Sequence, residues 1–250
     1  MSRAKRKRNQ AKTIEERWNK KTELGRVVAE KFEHEVKPPV QAKSLVQKEF
    51  LKALKEYSVV VFSAPAGVGK SFLAMSEATD WLKKGVYNKL TLTRAVIPMG
   101  RSLGMLPSTL QQKFEPYLMP LLEVAWKRYG KNWYENCLAN GTIELLAPEY
   151  ARGRSLSGCT IIDEAQSLHP DELYTLLTRM EEDSKLILIG DPNQSDIKGQ
   201  NGVDWLCNFV DNNPELNDHV KIIKATSDDI VRGGFCKAMV QAKEREKKNE

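Results

Sequence analysis

The sequence predicts an α/β fold, a single mostly parallel sheet with helices on both faces, and three observations predict it. Short apolar runs such as Val59-Val60-Val61-Phe62 and Leu186-Ile187-Leu188-Ile189 alternate with segments of helical periodicity, the pattern of strand–helix units that build a parallel sheet. The first run leads into Ala64-Pro65-Ala66-Gly67-Val68-Gly69-Lys70-Ser71, a glycine-bearing turn that opens a helix. Two later runs end in polar clusters, at Asp163-Glu164 and at Gly190-Asp191. In such sheets ligands gather at the carboxyl ends of the strands.

The elements follow in order. Residues 1–12 hold Arg3, Lys5, Arg6, Lys7, Arg8 and Lys12 and no acid, a composition that cannot bury a core and is expected to be disordered. Residues 13–41 mix charges with scattered apolar positions and read as a charged helical extension, closed by Lys37-Pro38-Pro39. Leu45, Val46, Phe50, Leu51 and Leu54 recur at helical spacing within 42–57. A strand over 59–63 comes next, then a helix over 70–84 that packs through Phe72, Leu73, Trp81 and Leu82 and stops at Gly85. A strand near 90–93 precedes a Gly/Pro-punctuated loop, 94–108, whose Arg94 and Arg101 are candidate contacts to nucleic acid. Helical residues over 109–129 are expected to be interrupted at Pro116 and Pro120. Further strands are expected near 143–146, 160–163, 186–190 and 220–223, with helices near 171–182, 201–210 and 228–243. Residues 244–250 read as a charged tail.

Composition narrows the function classes. Of 39 basic residues six lie in residues 1–12, so the other 33 balance the 33 acids. The excess charge sits in one segment, which reads either as an arm that contacts nucleic-acid phosphates through Lys5, Arg6, Lys7 and Arg8 or as a solubilising tail. No apolar stretch approaches the roughly 20 residues of a membrane span, and no signal-peptide pattern stands near the start. Cys137, Cys159, Cys207 and Cys236 form no CxxC pair and read as free thiols. A cytoplasmic protein without a membrane partner is expected.

The chemistry is carried by four groups of residues. Ala66, Gly67, Val68, Gly69, Lys70, Ser71 and Phe72 form a nucleotide-binding set: backbone N–H groups close around polyphosphate, Lys70 reaches the terminal phosphates, and the Ser71 hydroxyl serves Mg²⁺. The helix that follows points its N-terminus at the same phosphates. Asp163 is the second Mg²⁺ residue and Glu164 the general base for the attacking water. A strand ending in Asp-Glu is also consistent with a plain helix cap. Gln194, in the turn Asp191-Pro192-Asn193-Gln194, is placed to sense the γ-phosphate or the water. Gln47, about twenty residues before Lys70, carries the donor and acceptor that an adenine edge needs.

Asp163-Glu164-Ala165-Gln166 together with Gly190-Asp191-Pro192-Asn193-Gln194 resembles superfamily 1 helicases, and the closer resemblance is to the PhoH-like ATPase family. Its hallmarks run in order through Thr93-Arg94-Ala95-Val96, Leu103-Gly104-Met105-Leu106-Pro107, Pro116-Tyr117-Leu118, Ala151-Arg152-Gly153-Arg154-Ser155-Leu156 and Asp229-Ile230-Val231-Arg232. The departures are Ala64 for the first loop glycine, Ala95 for a frequent proline, and Gly233-Gly234 where His-Pro is frequent. The resemblance implies a single RecA-like P-loop NTPase core over 42–243, of the short type familiar from bacteriophages and without an added nuclease domain. It implies an ATP- and Mg²⁺-dependent hydrolase connected with single-stranded nucleic acid, RNA ahead of DNA, in a bacterial or phage-infected cell. It also implies a hexameric ring. In such a ring Arg152, Arg154 and Arg232 are the candidates for a transition-state arginine, at least one of them supplied by the neighbouring subunit; pairing with local carboxylates is the other reading of these arginines. Two other readings stay open: an ATP-ordered scaffold with little turnover, and a small-molecule kinase.

Overall fold

The computed structural model describes residues 37–95 and 110–247. Along the chain lie α1 (Leu45–Glu56), β1 (Val59–Ser63), α2 (Lys70–Lys83), β2 (Leu90–Arg94), α3 (Leu110–Tyr129), α4 (Lys131–Ala139) and β3 (Ile143–Leu145). They continue as β4 (Cys159–Asp163), α5 (Pro170–Leu177), β5 (Lys185–Gly190), α6 (Gly202–Asn212), β6 (Val220–Lys224) and α7 (Gly234–Lys247), with short 3₁₀ turns between.

The six strands form one parallel sheet in the order β3-β2-β4-β5-β1-β6. Strand β1 pairs with β5 from Val59↔Leu186 to Ser63↔Gly190. Its residues alternate between two apolar layers. Val60 and Phe62 face Phe50, Leu54, Leu73 and Leu118 on one side of the sheet. Val59 and Val61 join Leu173, Leu176, Leu206 and Val210 on the other. Both faces are therefore covered, which is why these strands read as continuous apolar runs rather than alternating ones. This is the RecA-like P-loop architecture. The basic tail, the expected charged extension as far as residue 36, the 244–250 tail beyond Lys247, and Lys5, Arg6, Lys7, Arg8 and Arg101 fall outside the described residues.

Three local expectations are corrected, and one helix is added. Helix α3 runs unbroken from Leu110 to Tyr129 through Pro116 and Pro120. Each internal proline costs about 3 kcal/mol. Leu118, Leu121, Leu122 and Ala125, all fully buried, hold the helix against the sheet, so tertiary packing outweighs the local penalty. Phe72 is 53% exposed rather than packed. Helix α4 lies in a stretch with no sequence reading; its Tyr134 and Cys137 are buried. Helix α7 begins at Gly234, after a short 3₁₀ turn at Ser227–Asp229, because the capping box of Thr226 and Asp229 closes that turn by itself.

Candidate nucleotide and metal site

The turn between β1 and α2 is shaped by two glycines in the left-handed region, Gly67 at φ 89° and Gly69 at φ 92°, where any other residue would be strained. Gly69 is also the residue before the first turn of α2, so the free N–H groups of that helix point out of the turn. Ala64 replaces a glycine without strain: it is not among the positive-φ residues, and its N–H donates to the Gly190 carbonyl at 2.9 Å.

Three segments brace this turn. Gln47, 3% exposed on α1, donates from Nε2 to the Val68 carbonyl (2.7 Å) and accepts at Oε1 from the Lys43 N–H (2.6 Å). Its amide, expected to read adenine, is engaged with the loop itself. From β5, Asp191 accepts at Oδ2 from the Ala66 N–H (3.1 Å) and from Gln194 Nε2 (2.7 Å), and at Oδ1 from the Asn193 N–H (3.0 Å). From the C-terminal side, the N–H groups of Val231 and Arg232 both donate to the Gly67 carbonyl at 3.2 Å. A methyl group on Gly67 would lie 3.1 Å from Arg232, Cys236 and Ile230 atoms, so the loop leaves little room there.

A cleft of about 520 Å³ opens at these strand ends, lined among others by Gln47, Lys70, Ser71, Asp163, Glu164 and Arg232. Phe72 and Gln194 also line it. Lys70 Nζ donates to the carbonyls of Ala64 and of Pro65, the latter at 3.0 Å. Burial lowers its pKa, opposed by the charges of Asp191, Glu164 and Asp163. Asp163 is 5% exposed at the end of β4. Burial pushes its carboxyl up to about 6; the Arg94 guanidinium pulls the other way and the Glu164 charge adds to the rise.

Among the described residues no group of three or more His, Cys, Asp or Glu is placed to hold a metal alone. One buried carboxylate and one hydroxyl fit Mg²⁺, which commonly takes one or two protein ligands and completes its shell with phosphates and water. The donor set therefore suits a metal that arrives with a polyphosphate.

Two residues link the acidic pair to the rest of the site. Gln166 is buried; its Nε2 donates to Glu164 Oε2 (2.7 Å) and its Oε1 accepts from the Asp191 N–H (3.0 Å). Gly190 permits this, since a methyl group there would stand 2.5 Å from Gln166 Oε1. Gln166 lies within the acidic motif, and the sequence gives it no role of its own. Asp191 was read only as a turn former. Arg94, expected at a nucleic-acid surface, instead pairs with Asp163 (3.2 Å) and Glu164 (3.1 Å). The cause is register: β2 and β4 are neighbours and Arg94 stands opposite Asp163.

The arginines divide. Arg232 lines the cleft of its own chain. Arg154 pairs with Glu144 on the edge strand β3 at 2.8 Å and does not line the cleft. Arg152 is exposed beside it.

Residues 39–244 match the family model described as PhoH-like protein. The PhoH-like protein of Bacillus subtilis is 33% identical over 208 residues, 83% of this chain and 65% of that protein. Protein PhoH of Escherichia coli K12 is 29% identical over 212 residues, 82% of this chain and 58% of the relative. The chain thus spans about three fifths of the length of these curated relatives. Among solved structures, the HK97 bacteriophage large terminase aligns over 75% of this chain and 40% of its own at 13% identity and a TM-score of 0.46. With a phosphate-binding turn and two carboxylate-bearing strand ends in one cleft, and a family match over four fifths of its length, the chain belongs to the PhoH-like protein family.

Proposed function

We propose that the protein is a Mg²⁺-dependent ATP hydrolase that acts on, or is stimulated by, single-stranded nucleic acid, RNA ahead of DNA. The observation that carries this reading is the convergence of Lys70, Ser71, Asp163, Glu164 and Gln194 on one cleft. In this reading the loop N–H groups and Lys70 hold the phosphates. Ser71 and Asp163 hold the metal, which when bound neutralises charge on the phosphates. Glu164 orients and deprotonates the attacking water. Asp191 aims Gln194 towards the terminal phosphate. Phe72, exposed beside Ser71, offers an aromatic face to the base. The basic segment 1–12 supplies phosphate contacts to the nucleic acid.

The working form is proposed to be a ring of copies, a hexamer by family resemblance, with Arg152 or Arg154 reaching the neighbour's nucleotide. One RecA-like core holds the nucleotide on one side only, and a transition-state arginine is worth about 10³–10⁵ in rate. A head-to-tail contact of this kind closes into a ring when its rotation permits.

A steady-state ATPase assay with and without single-stranded RNA and DNA tests the function. Turnover that needs Mg²⁺ and rises with a single strand is expected; absence of turnover with intact ATP binding would favour the ATP-ordered scaffold. Deleting residues 1–12 is expected to flatten the salt dependence of strand binding and to leave ATP affinity unchanged.

A further inference from the structure

Arg94 is committed to three acceptors at once. Its Nη1 donates to Asp163 Oδ2 at 3.2 Å and to the Tyr117 carbonyl of α3 at 2.9 Å; its Nη2 donates to Glu164 Oε1 at 3.1 Å. The second oxygen of Glu164 accepts from Gln166 Nε2 at 2.7 Å. Each oxygen of this carboxylate therefore accepts from a side chain of the protein, which fixes the plane of the group. The backbone of Glu164 is held in the left-handed region, φ 52° and ψ 40°. A non-glycine residue there costs about 1–3 kcal/mol and stays only where its surroundings over-determine it. Arg94 and Gln166 are those surroundings.

We propose that Arg94 is a positioning residue that tethers Glu164 in a resting orientation, and that release of this tether sets the rate of hydrolysis. The proposal rests on the reading of Glu164 as the water-activating group. The tether also touches the metal residue: the same guanidinium donates to Asp163 Oδ2, so its departure would free a lone pair of that carboxylate for a cation. The third acceptor supplies the route of control. Tyr117 lies between Pro116 and Pro120, where α3 lacks two of its own N–H donors. Helix α3 packs on α2 and the sheet through Leu118, Leu121 and Leu122. A displacement of this turn against β2 changes the three-way geometry of Arg94 directly. The side chain is 24% exposed, so the guanidinium can exchange partners with water without unfolding.

The test uses Arg94→Lys and Arg94→Gln in the full chain. An ammonium cannot bridge three acceptors as a planar fork does, and an amide carries no charge. In the absence of nucleic acid, both variants are expected to raise kcat by about two- to fivefold, the worth of a partly exposed pair, with KM for ATP little changed. Binding of a fluorescent non-hydrolysable ATP analogue is expected to half-saturate at a several-fold lower Mg²⁺ concentration. A merely structural role would lower kcat and leave the Mg²⁺ demand where it is. Unchanged or reduced kcat in a variant that melts at the wild-type temperature would overturn the tether. If Arg94→Gln fails to fold, Arg94→Lys, which keeps the charge beside both acids, carries the measurement. Glu164→Gln separates the two ideas. Wild-type turnover in that variant removes Glu164 as the base, and the tether with it. Loss of turnover there, without any rise in the Arg94 variants, removes the tether alone.

Discussion

Glu164 and Lys70 meet in the cleft with different duties, and two substitutions separate them. Glu164→Gln keeps the shape and the bond to Arg94 but removes the basic oxygen, so kcat is expected to fall about 10²–10⁴ while nucleotide still binds. Lys70→Ala removes the point charge that meets the phosphates, so nucleotide affinity itself is expected to fall. Single-turnover hydrolysis and titration with a fluorescent nucleotide check both; unchanged kcat in the glutamine variant would take Glu164 out of the mechanism. The meeting of Lys70, Ser71 and Asp163 at one cleft was legible because each position follows from local chain order: strand, turn, helix, or strand end. The engagement of Gln47 with the Val68 carbonyl was not, because it joins residues 21 apart in sequence through the packing of α1.

Two elements carry buried charge with measurable consequences. Asp80 of α2 is 1% exposed and accepts from Arg128 and from the Tyr129 hydroxyl (2.7 Å) at the end of α3. Arg128 also donates to the Pro38 carbonyl at 2.7 Å, tying down the start of the described chain. Arg128→Met leaves the carboxylate buried and unpaired. It is expected to cost about 3–5 kcal/mol, read from urea denaturation; a loss below about 1 kcal/mol would show that water reaches Asp80. In β5, Lys185 is buried, its ammonium donating to the Tyr57 carbonyl. Burial lowers its pKa to about 8. Below pH 8 the lysine is charged in both states, and the folded state bears the cost of the buried charge. Between pH 8 and about 10.5 the unfolded chain binds the extra proton, so stability rises with pH. Relative to Lys185→Met, the wild type is expected to gain up to about 3 kcal/mol between pH 7.5 and 10.5. Denaturation at both pH values checks the sign.

At the scale of the whole molecule the proposed ring turns on where the arginines stand. Arg152 and Arg154 stand near the edge strand β3, which three strands separate from β1. They cannot line the cleft of their own chain, whereas Arg232 does. Mixing an Arg152→Ala/Arg154→Ala chain with a Lys70→Ala chain is expected to restore part of the ATPase activity lost in each alone. Light scattering should give a mass of several copies of the 28.4 kDa chain. A monomer that hydrolyses ATP at the full rate would rule out the trans arginine. Among the described residues no helix is long and apolar enough to cross a membrane.

Local order in the chain determined much of this protein. Apolar runs with both faces buried announced the strands, and the glycine-bearing sequence ahead of α2 announced the turn that lines the cleft. Asp163 and Glu164 at the end of β4 needed only the rule that strand ends meet ligands. Tertiary structure decided the rest. It kept α3 straight through Pro116 and Pro120, because the burial of Leu118, Leu121 and Leu122 exceeds what two prolines cost. It turned Arg94 inward, because the strand order sets β2 beside β4 and places Arg94 opposite Asp163. It brought Val231 and Arg232 onto the Gly67 carbonyl from more than 160 residues away. Periodicity and spacing report which face of an element is buried; they carry no information on which element lies across from it, and that partner decides where a charged side chain finds its counter-charge.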